Sequence, residues 1–350
     1  MKTALRLLRI ALAISTFAIA VPPLPAATFH QSTLRIYFVD VEGGQATLFI
    51  TPGGKSLLID TGWPGNDSRD AKRIADVAKL EHLKKIDYVL LTHYHMDHAG
   101  GVPQLAAEIP IGTFIDHGEN REPGDKATEE AYEAYKKVLA SGKYGHLVLK
   151  PGDMLPLDIP AEVVSADGGL IDKPLPGAGA PNPACAKTEP RPADQTENAR
   201  SLGIVITFGK IKILDLGDLT WDKEMQLMCP VNKLGRVDLY IVSHHGWEQS
   251  GSPALVEGIQ PQVAIMDNGA KKGGSPSTWQ IIHDTPGLQD LWQLHYSEEG
   301  GPTHNVAAAY IANPQGPDKG NYLKVTIRED GWMEVANPAQ GKRKVYQPRL

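Results

Sequence analysis

From residue 34 onward the chain sets short apolar runs between Gly- and Pro-rich breaks, a strand pattern more than a long-helix one. The runs 34–41, 46–50 and 56–60 are rich in Leu, Ile, Phe and Val. They are separated by Glu42-Gly43-Gly44 and Gly53-Gly54, which predicts an antiparallel meander. Residues 68–80 repeat apolar positions at helical spacing, with Ser68 as the expected N-cap. Residues 86–91 predict a strand that runs straight into 92–101, and 102–108 begin a helix. Residues 126–141 form an amphipathic helix with Tyr132, Tyr135 and Val138 on one face. Further strands are expected at 161–165, 202–208, 211–214, 237–242 and 263–266, with helices at 221–228 and 277–283. A hairpin at 322–327 and 332–335 closes the pattern. The stretch 167–200, rich in Gly, Pro, Ala and Asn, reads as a long loop of the kind that is usually functional or mobile. Mostly antiparallel strands interleaved with helices predict an α/β sandwich with helices on its outer faces. No linker divides it, so residues 28–350 read as one domain with inserts at about 110–160 and 167–200.

Composition adds bounds. With 350 residues, 41% hydrophobic, the chain can bury a large core. Lys and Arg number 35 against 41 Asp and Glu, a formal charge of −6 with no basic run. An extended nucleic-acid track is therefore not expected, though a small-molecule or nucleotide-like substrate is compatible. Oligomeric state is not legible. Lys2, Arg6 and Arg9 precede an apolar stretch at 10–20, and Ala18-Ile19-Ala20 and Pro25-Ala26-Ala27 offer small-residue cuts. Residues 1–27 thus read as a signal peptide cleaved after 20 or 27, which predicts a secreted or periplasmic protein with no stable membrane span once cleaved. An uncleaved anchor is the alternative, although the apolar core is short for a bilayer. Cys185 and Cys229 are the only cysteines, and the sequence leaves their pairing open.

The chemistry concentrates in His93-Tyr94-His95-Met96-Asp97-His98, three imidazoles and a carboxylate in six residues just after an apolar strand. Imidazole and carboxylate are ligands that zinc accepts readily. Two later strand ends add Asp218 (Leu216-Gly217-Asp218) and His244 (Val242-Ser243-His244). This His93-x-His95-x-Asp97-His98 pattern resembles the signature of the metallo-β-lactamase superfamily. Asp60 in Leu58-Ile59-Asp60-Thr61-Gly62 matches its early aspartate, Asp218 its bridging aspartate and His244 its last histidine. Phe38-Val39-Asp40-Val41 followed by Gly44-Gln45, then Leu216-Gly217-Asp218-Leu219, then His244-His245-Gly246 is most similar to the β-lactamase-like domain of the DNA-internalisation competence protein ComEC. The similarity spans about 33–270.

The resemblance implies an αβ/βα four-layer sandwich carrying two divalent metal ions, Zn²⁺ first and Mn²⁺ second in expectation. His93 and His95 would hold one ion, Asp97, His98 and His244 the other, and Asp218 would bridge. A metal-bridged hydroxide would attack, with Asp97 orienting it. Where the superfamily commonly has another histidine, this chain offers Asn198, a weaker and harder ligand that favours manganese. His117 and His146 are alternative substitutes. Asp60 and Asp40 are expected to hydrogen-bond the metal loops rather than the metal. His245 is a candidate proton donor, Arg200 a candidate clamp for an anionic group, His304 a residue within reach of the cleft and Trp63 a wall. Gly53-Gly54 and Lys271-Lys272-Gly273-Gly274 read as turns, not as phosphate cradles. The implied function is hydrolysis of a phosphodiester or related ester. Hydrolysis of a lactone or β-lactam on the same ions, or metal binding without catalysis, are the alternatives.

Overall fold

The computed structural model describes residues 32–349. The signal-peptide segment 1–27 lies outside them. Among the described residues no helix is long and apolar enough to cross a membrane.

In chain order the elements are β1 (Thr33–Phe38), β2 (Thr47–Ile50), β3 (Ser56–Ile59), α1 (Arg69–Leu80), β4 (Ile86–Leu90), α2 (Met96–Ala99), α3 (Val102–Glu108), β5 (Ile111–Asp116), α4 (Lys126–Leu139) and β6 (Gly145–Val148). There follow β7 (Ala161–Ala166), β8 (Gly169–Leu170), β9 (Gly203–Phe208), β10 (Ile211–Asp215), α5 (Trp221–Met228), β11 (Leu239–Ile241), α6 (Pro253–Ile259), β12 (Val263–Met266), α7 (Pro276–His283) and β13 (Asp290–His295). The last are β14 (Ile311–Asn313), β15 (Leu323–Arg328), β16 (Met333–Asn337) and β17 (Lys342–Tyr346).

The strands form a nine-stranded sheet, β17-β16-β15-β1-β2-β3-β4-β5-β6, and an eight-stranded one, β14-β13-β12-β11-β10-β9-β7-β8. Alternate side chains of β1 explain the layering. Leu34, Ile36 and Phe38 enter the core between the sheets, while Tyr37 enters the core beneath α1, α3 and α4. A strand buried on both faces reads as a continuous apolar run. On the second sheet Leu214, Tyr240 and Ala264 meet Leu227, Leu255 and Ile282 of α5, α6 and α7. Helix, sheet, sheet and helix thus make the four layers of the expected sandwich.

The strands are less antiparallel than their spacing suggests. The meander β1-β2-β3 is antiparallel. From β3 to β6, and from β10 to β14, neighbours run parallel. A parallel partner needs a crossover, which α1, α3 and α4 supply in one sheet and α5, α6 and α7 in the other. The consequence is positional: the C-terminal ends of β3, β4, β10, β11 and β12 carry the loops that form the site described below, as expected for open α/β sheets.

Ser68 precedes α1 but its side chain caps nothing, because the residue sits at φ 60°. Asp125 caps α4 by accepting from Thr128 N. The long loop is pinned rather than free. Cys185 is disulfide-bonded to Cys229 at the end of α5, and Asn182 donates to Met228 O and Ala254 O.

Candidate metal centre

The loop after β4 delivers His93 to His98. It is held from below by Gly44, where a Cβ would fall 2.3 Å from the Asp97 carbonyl oxygen, and by Gln45, whose N–H donates to that oxygen. Asp218 follows β10, and its carboxylate is the hub. Asp218 Oδ2 lies 3.2 Å from His98 Nε2, 3.3 Å from His244 Nε2 and 3.9 Å from His93 Nε2. Asp218 Oδ1 lies 3.5 Å from His245 Nε2. Asp97 Oδ2 is 3.3 Å from His98 Nε2 and 3.2 Å from His245 Nε2. Asp97, His98, Asp218 and His245 therefore present four ligand atoms within 4.8 Å of one another, all buried.

The opposite ring nitrogens are tethered. His98 Nδ1 lies 2.7 Å from Asp60 Oδ2, and Thr92 Oγ1, which donates to the same oxygen, is 3.0 Å from His93 Nδ1. His244 Nδ1 is likewise tethered by Ser250 Oγ at 3.3 Å, whereas His245 Nδ1 and Asp267 Oδ1 face each other at 3.4 Å as an ion-pair contact without a hydrogen bond. Such tethers fix the tautomer and aim Nε2 inward. His244 and His245 both hold φ 54°, a conformation that costs a non-glycine residue about 1–3 kcal/mol unless its surroundings impose it.

Two properties fit a cation. First, His93 Nε2, Asp218 Oδ1 and Asn198 Oδ1 are buried without a hydrogen-bond partner, each a cost of about 1–3 kcal/mol if left so. Second, the pocket gathers positive charge. Burial opposes a charge on His98, but Asp218, Asp97 and Asp60 outweigh it and hold its pKa well above the ordinary value. Burial is likewise outweighed at His245, lifted to about 9 chiefly by Asp218. Burial prevails at His93, which falls well below the ordinary value, and at His244, which falls to about 4. The donor set of imidazoles and carboxylates is one that zinc or manganese accepts.

Several expected residues are placed differently. His245, not His244, completes the cluster with Asp97 and His98, because the turn after β11 swings both rings inward on left-handed backbone. His95 points at Glu122, with Nε2 2.9 Å from Oε2. Asn198 is buried beside the same region, its N-terminal neighbour Glu197 donating N–H to Glu122 Oε2. Asp60 does tie the metal loop. Asp40 does not: it accepts from Arg73 at 3.1 Å and meets His295 Nε2 at 2.7 Å, because β1 ends beside α1 and β13. Arg200 packs onto the Gly168 turn. His304 stands edge-on to Trp279 at 5.5 Å, held there by its loop after β13. His117 and His146 are engaged by Glu197 and Asp116 at 3.0 and 2.7 Å.

Three residues escaped sequence reasoning. Lys272, on the loop after β12, contacts Asp97 Oδ2. Its ammonium lies 5.0 Å from the Trp63 ring and 5.9 Å from that of Trp247. Its signal was faint, because Asp267-Asn268-Gly269-Ala270 separate the lysine pair from the apolar strand β12. Asp267 had the strand-end signal of the other site loops. Glu122 had none, since it lies in an insert with no pattern of its own.

Comparison with known proteins gives one family. Residues 40–185 match the metallo-beta-lactamase superfamily profile. Recombination protein 2 of Haemophilus influenzae is 25% identical over 250 residues, 68% of this chain and 25% of that protein. This chain thus spans about a quarter of that relative. A UPF0173 metal-dependent hydrolase of Aeropyrum pernix is 25% identical over 222 residues, 63% of this chain and 78% of the relative. Hydroxyacylglutathione hydrolase of Stenotrophomonas maltophilia is 34% identical over 105 residues, 30% of this chain and 37% of the relative. With the sandwich and the strand-end cluster, residues 40–185 are thus similar to the metallo-β-lactamase superfamily, and the chain resembles the ComEC type and metal-dependent hydrolases over the residues matched.

Proposed function

We propose that the chain hydrolyses a phosphodiester or closely related ester bearing an aromatic or nucleoside group, outside the cytoplasm. The observation that carries this reading is Lys272, a cation set between Trp63 and Trp247 against the Asp97 carboxylate. Trp247 is 39% exposed, so one indole is open to a ligand. An ammonium between aromatic faces suits an anionic oxygen attached to a flat ring.

A pair of divalent ions, zinc or manganese, supplies Lewis acidity and a water of lowered pKa when bound. His93, His95, Asp97, His98, Asp218, His244 and His245 are the residues that would hold them. The remaining roles fall to the chain. Asp97 orients the attacking water. Asp60 and Asp267 hold His98 and His245 in register. Lys272 binds a non-bridging phosphate oxygen. His245, with Nε2 turned to Asp97 and Asp218, is occupied otherwise.

Bis-p-nitrophenyl phosphate and single-stranded DNA, each offered with zinc and then manganese, test the reading. No hydrolysis of either with metal bound overturns it, and turnover of nitrocefin or a lactone instead moves it to amides or cyclic esters. Lys272→Met should raise KM for the phosphodiester at least about tenfold while lowering kcat less, the mark of lost ground-state binding. Equal loss in kcat and kcat/KM would place Lys272 in the transition state alone. Export is supported by the N-terminal basic and apolar pattern and by the Cys185–Cys229 bond, which oxidising compartments favour. N-terminal sequencing of protein recovered outside the cytoplasm should begin at residue 21 or 28.

A further inference from the structure

We propose that Gln45 is a positioning residue that sets the spacing of Asp97 and Asp218, which come from different sheets. Gln45 lies two residues before β2 in the nine-stranded sheet, and Asp215 ends β10 in the eight-stranded one. The Gln45 side chain crosses between them, donating from Nε2 to Asp215 Oδ2 at 2.6 Å. Both residues are buried.

Each end of that bond is joined to a ligand. On the first sheet the Gln45 N–H donates to Asp97 O at 3.2 Å, and its carbonyl accepts from Gly62 N at 3.1 Å, the residue before Trp63. On the second sheet Asp215 Oδ1 accepts from Gly217 N at 2.9 Å, the residue before Asp218. Gly217 O in turn accepts from His244 N at 3.0 Å. Gly217 holds φ 55°, and a Cβ there would fall 2.8 Å from that of Thr92, so this turn is pressed against the residue that precedes His93. A continuous path thus runs from Asp97 through Gln45, Asp215 and Gly217 to Asp218 and His244. Its ends meet again in the centre, where Asp97 Oδ2 and Asp218 Oδ2 lie 3.3 and 3.2 Å from His98 Nε2.

The residue type supports the assignment. The core between the sheets is apolar, with Phe38, Ile59, Leu90 and Ile204 among its members. Apolar contact there would hold the sheets together without direction. A buried amide facing a carboxylate is tolerated only when the bond is made, and it has one length and one direction. Burial pushes the Asp215 carboxyl up to about 7, while Gly217 N and the Gln45 amide pull the other way. A donor is therefore what this position needs.

The inference rests on the metal reading of the site and not on the substrate, so its test uses metal alone. The chelator-stripped full chain is titrated calorimetrically with Zn²⁺ and with Mn²⁺. Beside it stand Gln45→Met, Gln45→Glu, Asp215→Asn and the swapped pair, Gln45→Glu with Asp215→Asn. Near-UV circular dichroism checks folding, and denaturant melts give the metal-free stability. Gln45→Met removes the bond, and Gln45→Glu sets two carboxylates against each other. Both should bind metal at least about tenfold more weakly. Asp215→Asn keeps the bond, since the Gln45 amide can turn over and accept, and it should lose less than either. The swapped pair remakes the bond with donor and acceptor exchanged, and should return to within about threefold of wild type. Wild-type affinity in Gln45→Met, whatever its stability, overturns the proposal and leaves Gln45 a part of the core alone. So does a swapped pair as weak as Gln45→Glu. If the Gln45 variants do not fold, the swapped pair decides: folded and binding as wild type upholds the bond, and anything less overturns it. A wild type that takes no metal removes the metal reading and the inference together. One that takes metal but hydrolyses no phosphodiester leaves the inference standing.

Discussion

The two halves of the centre are built on different principles. Around Asp97, His98 and His245 every group comes from a strand end of the sandwich, and its histidines are braced by the buried carboxylates Asp60 and Asp267. Around His93 and His95 the bracing is by hydroxyl, through Thr92, and by an exposed-side insert, through Glu122. His95 and Glu122 keep 24% and 22% of their side chains exposed, whereas His98 and His245 keep 0% and 1%. One half is thus a property of the fold, and the other depends on a segment grafted onto it. Loops on a rigid scaffold are where variation concentrates, so the ion chosen by the second half is free to differ among chains that share the first.

The most severe way to break this comparison is to remove what the halves share. Asp218→Ala deletes the hub and leaves His98, His244 and His245 facing one another with one anion fewer. Both ions should be lost and hydrolysis should fall by more than about a hundredfold, beyond what changes to the groups behind the ligands cost. Elemental analysis beside a phosphodiester assay checks it. Retention of one tightly held ion would show that the halves do not share Asp218.

A sharper cut separates them. Asp60→Asn removes the anionic brace from His98 and nothing from His95. Affinity for one ion should fall about 10–100-fold, the usual cost of losing such a brace, while the other ion binds as in the wild type. Calorimetric titration with two resolved sites reads this directly. Equal weakening of both would mean that Thr92, which contacts Asp60 and His93 alike, couples the halves.

The same division marks what could be read from residues alone. His93, His95, Asp97, His98, Asp218 and the His244-His245 pair stand out because each follows an apolar strand and because few roles other than ligation gather such side chains. Which of His244 and His245 enters the cluster with Asp97 was not readable, since it turns on left-handed backbone at both positions. Asp40 and His304 misled for a common reason: their partners, His295 and Trp279, lie far away in sequence, and no local pattern announces them. Parallel pairing was hidden because a strand buried on both faces carries the same apolar run in either orientation. The strands β5, β6, β13, β14 and β17 went unseen for lack of length or contrast.

The smallest expected effect concerns the loop behind His244. Glu224 on α5 is fully buried and accepts from Gly251 N and Ser252 N at 2.8 and 2.7 Å. It thereby positions Ser250, which faces His244 Nδ1. Burial pushes the Glu224 carboxyl up to about 7, against the pull of those two N–H groups. In the unfolded chain it titrates near 4.3. Between these values the folded state binds a proton that the unfolded state has released. Stability from this group is therefore fullest below about pH 4 and is lost as pH rises through about 7, by on the order of 3 kcal/mol. Glu224→Gln stays neutral throughout. Denaturant melts of metal-free protein from pH 4 to 8 should show the variant nearly equal to wild type at the acid end. It should gain on wild type steadily toward pH 8, less about 1 kcal/mol for the weaker acceptor. Parallel profiles would mean that Glu224 is ionised throughout, and that the loop behind His244 is held by charge, as His98 is by Asp60.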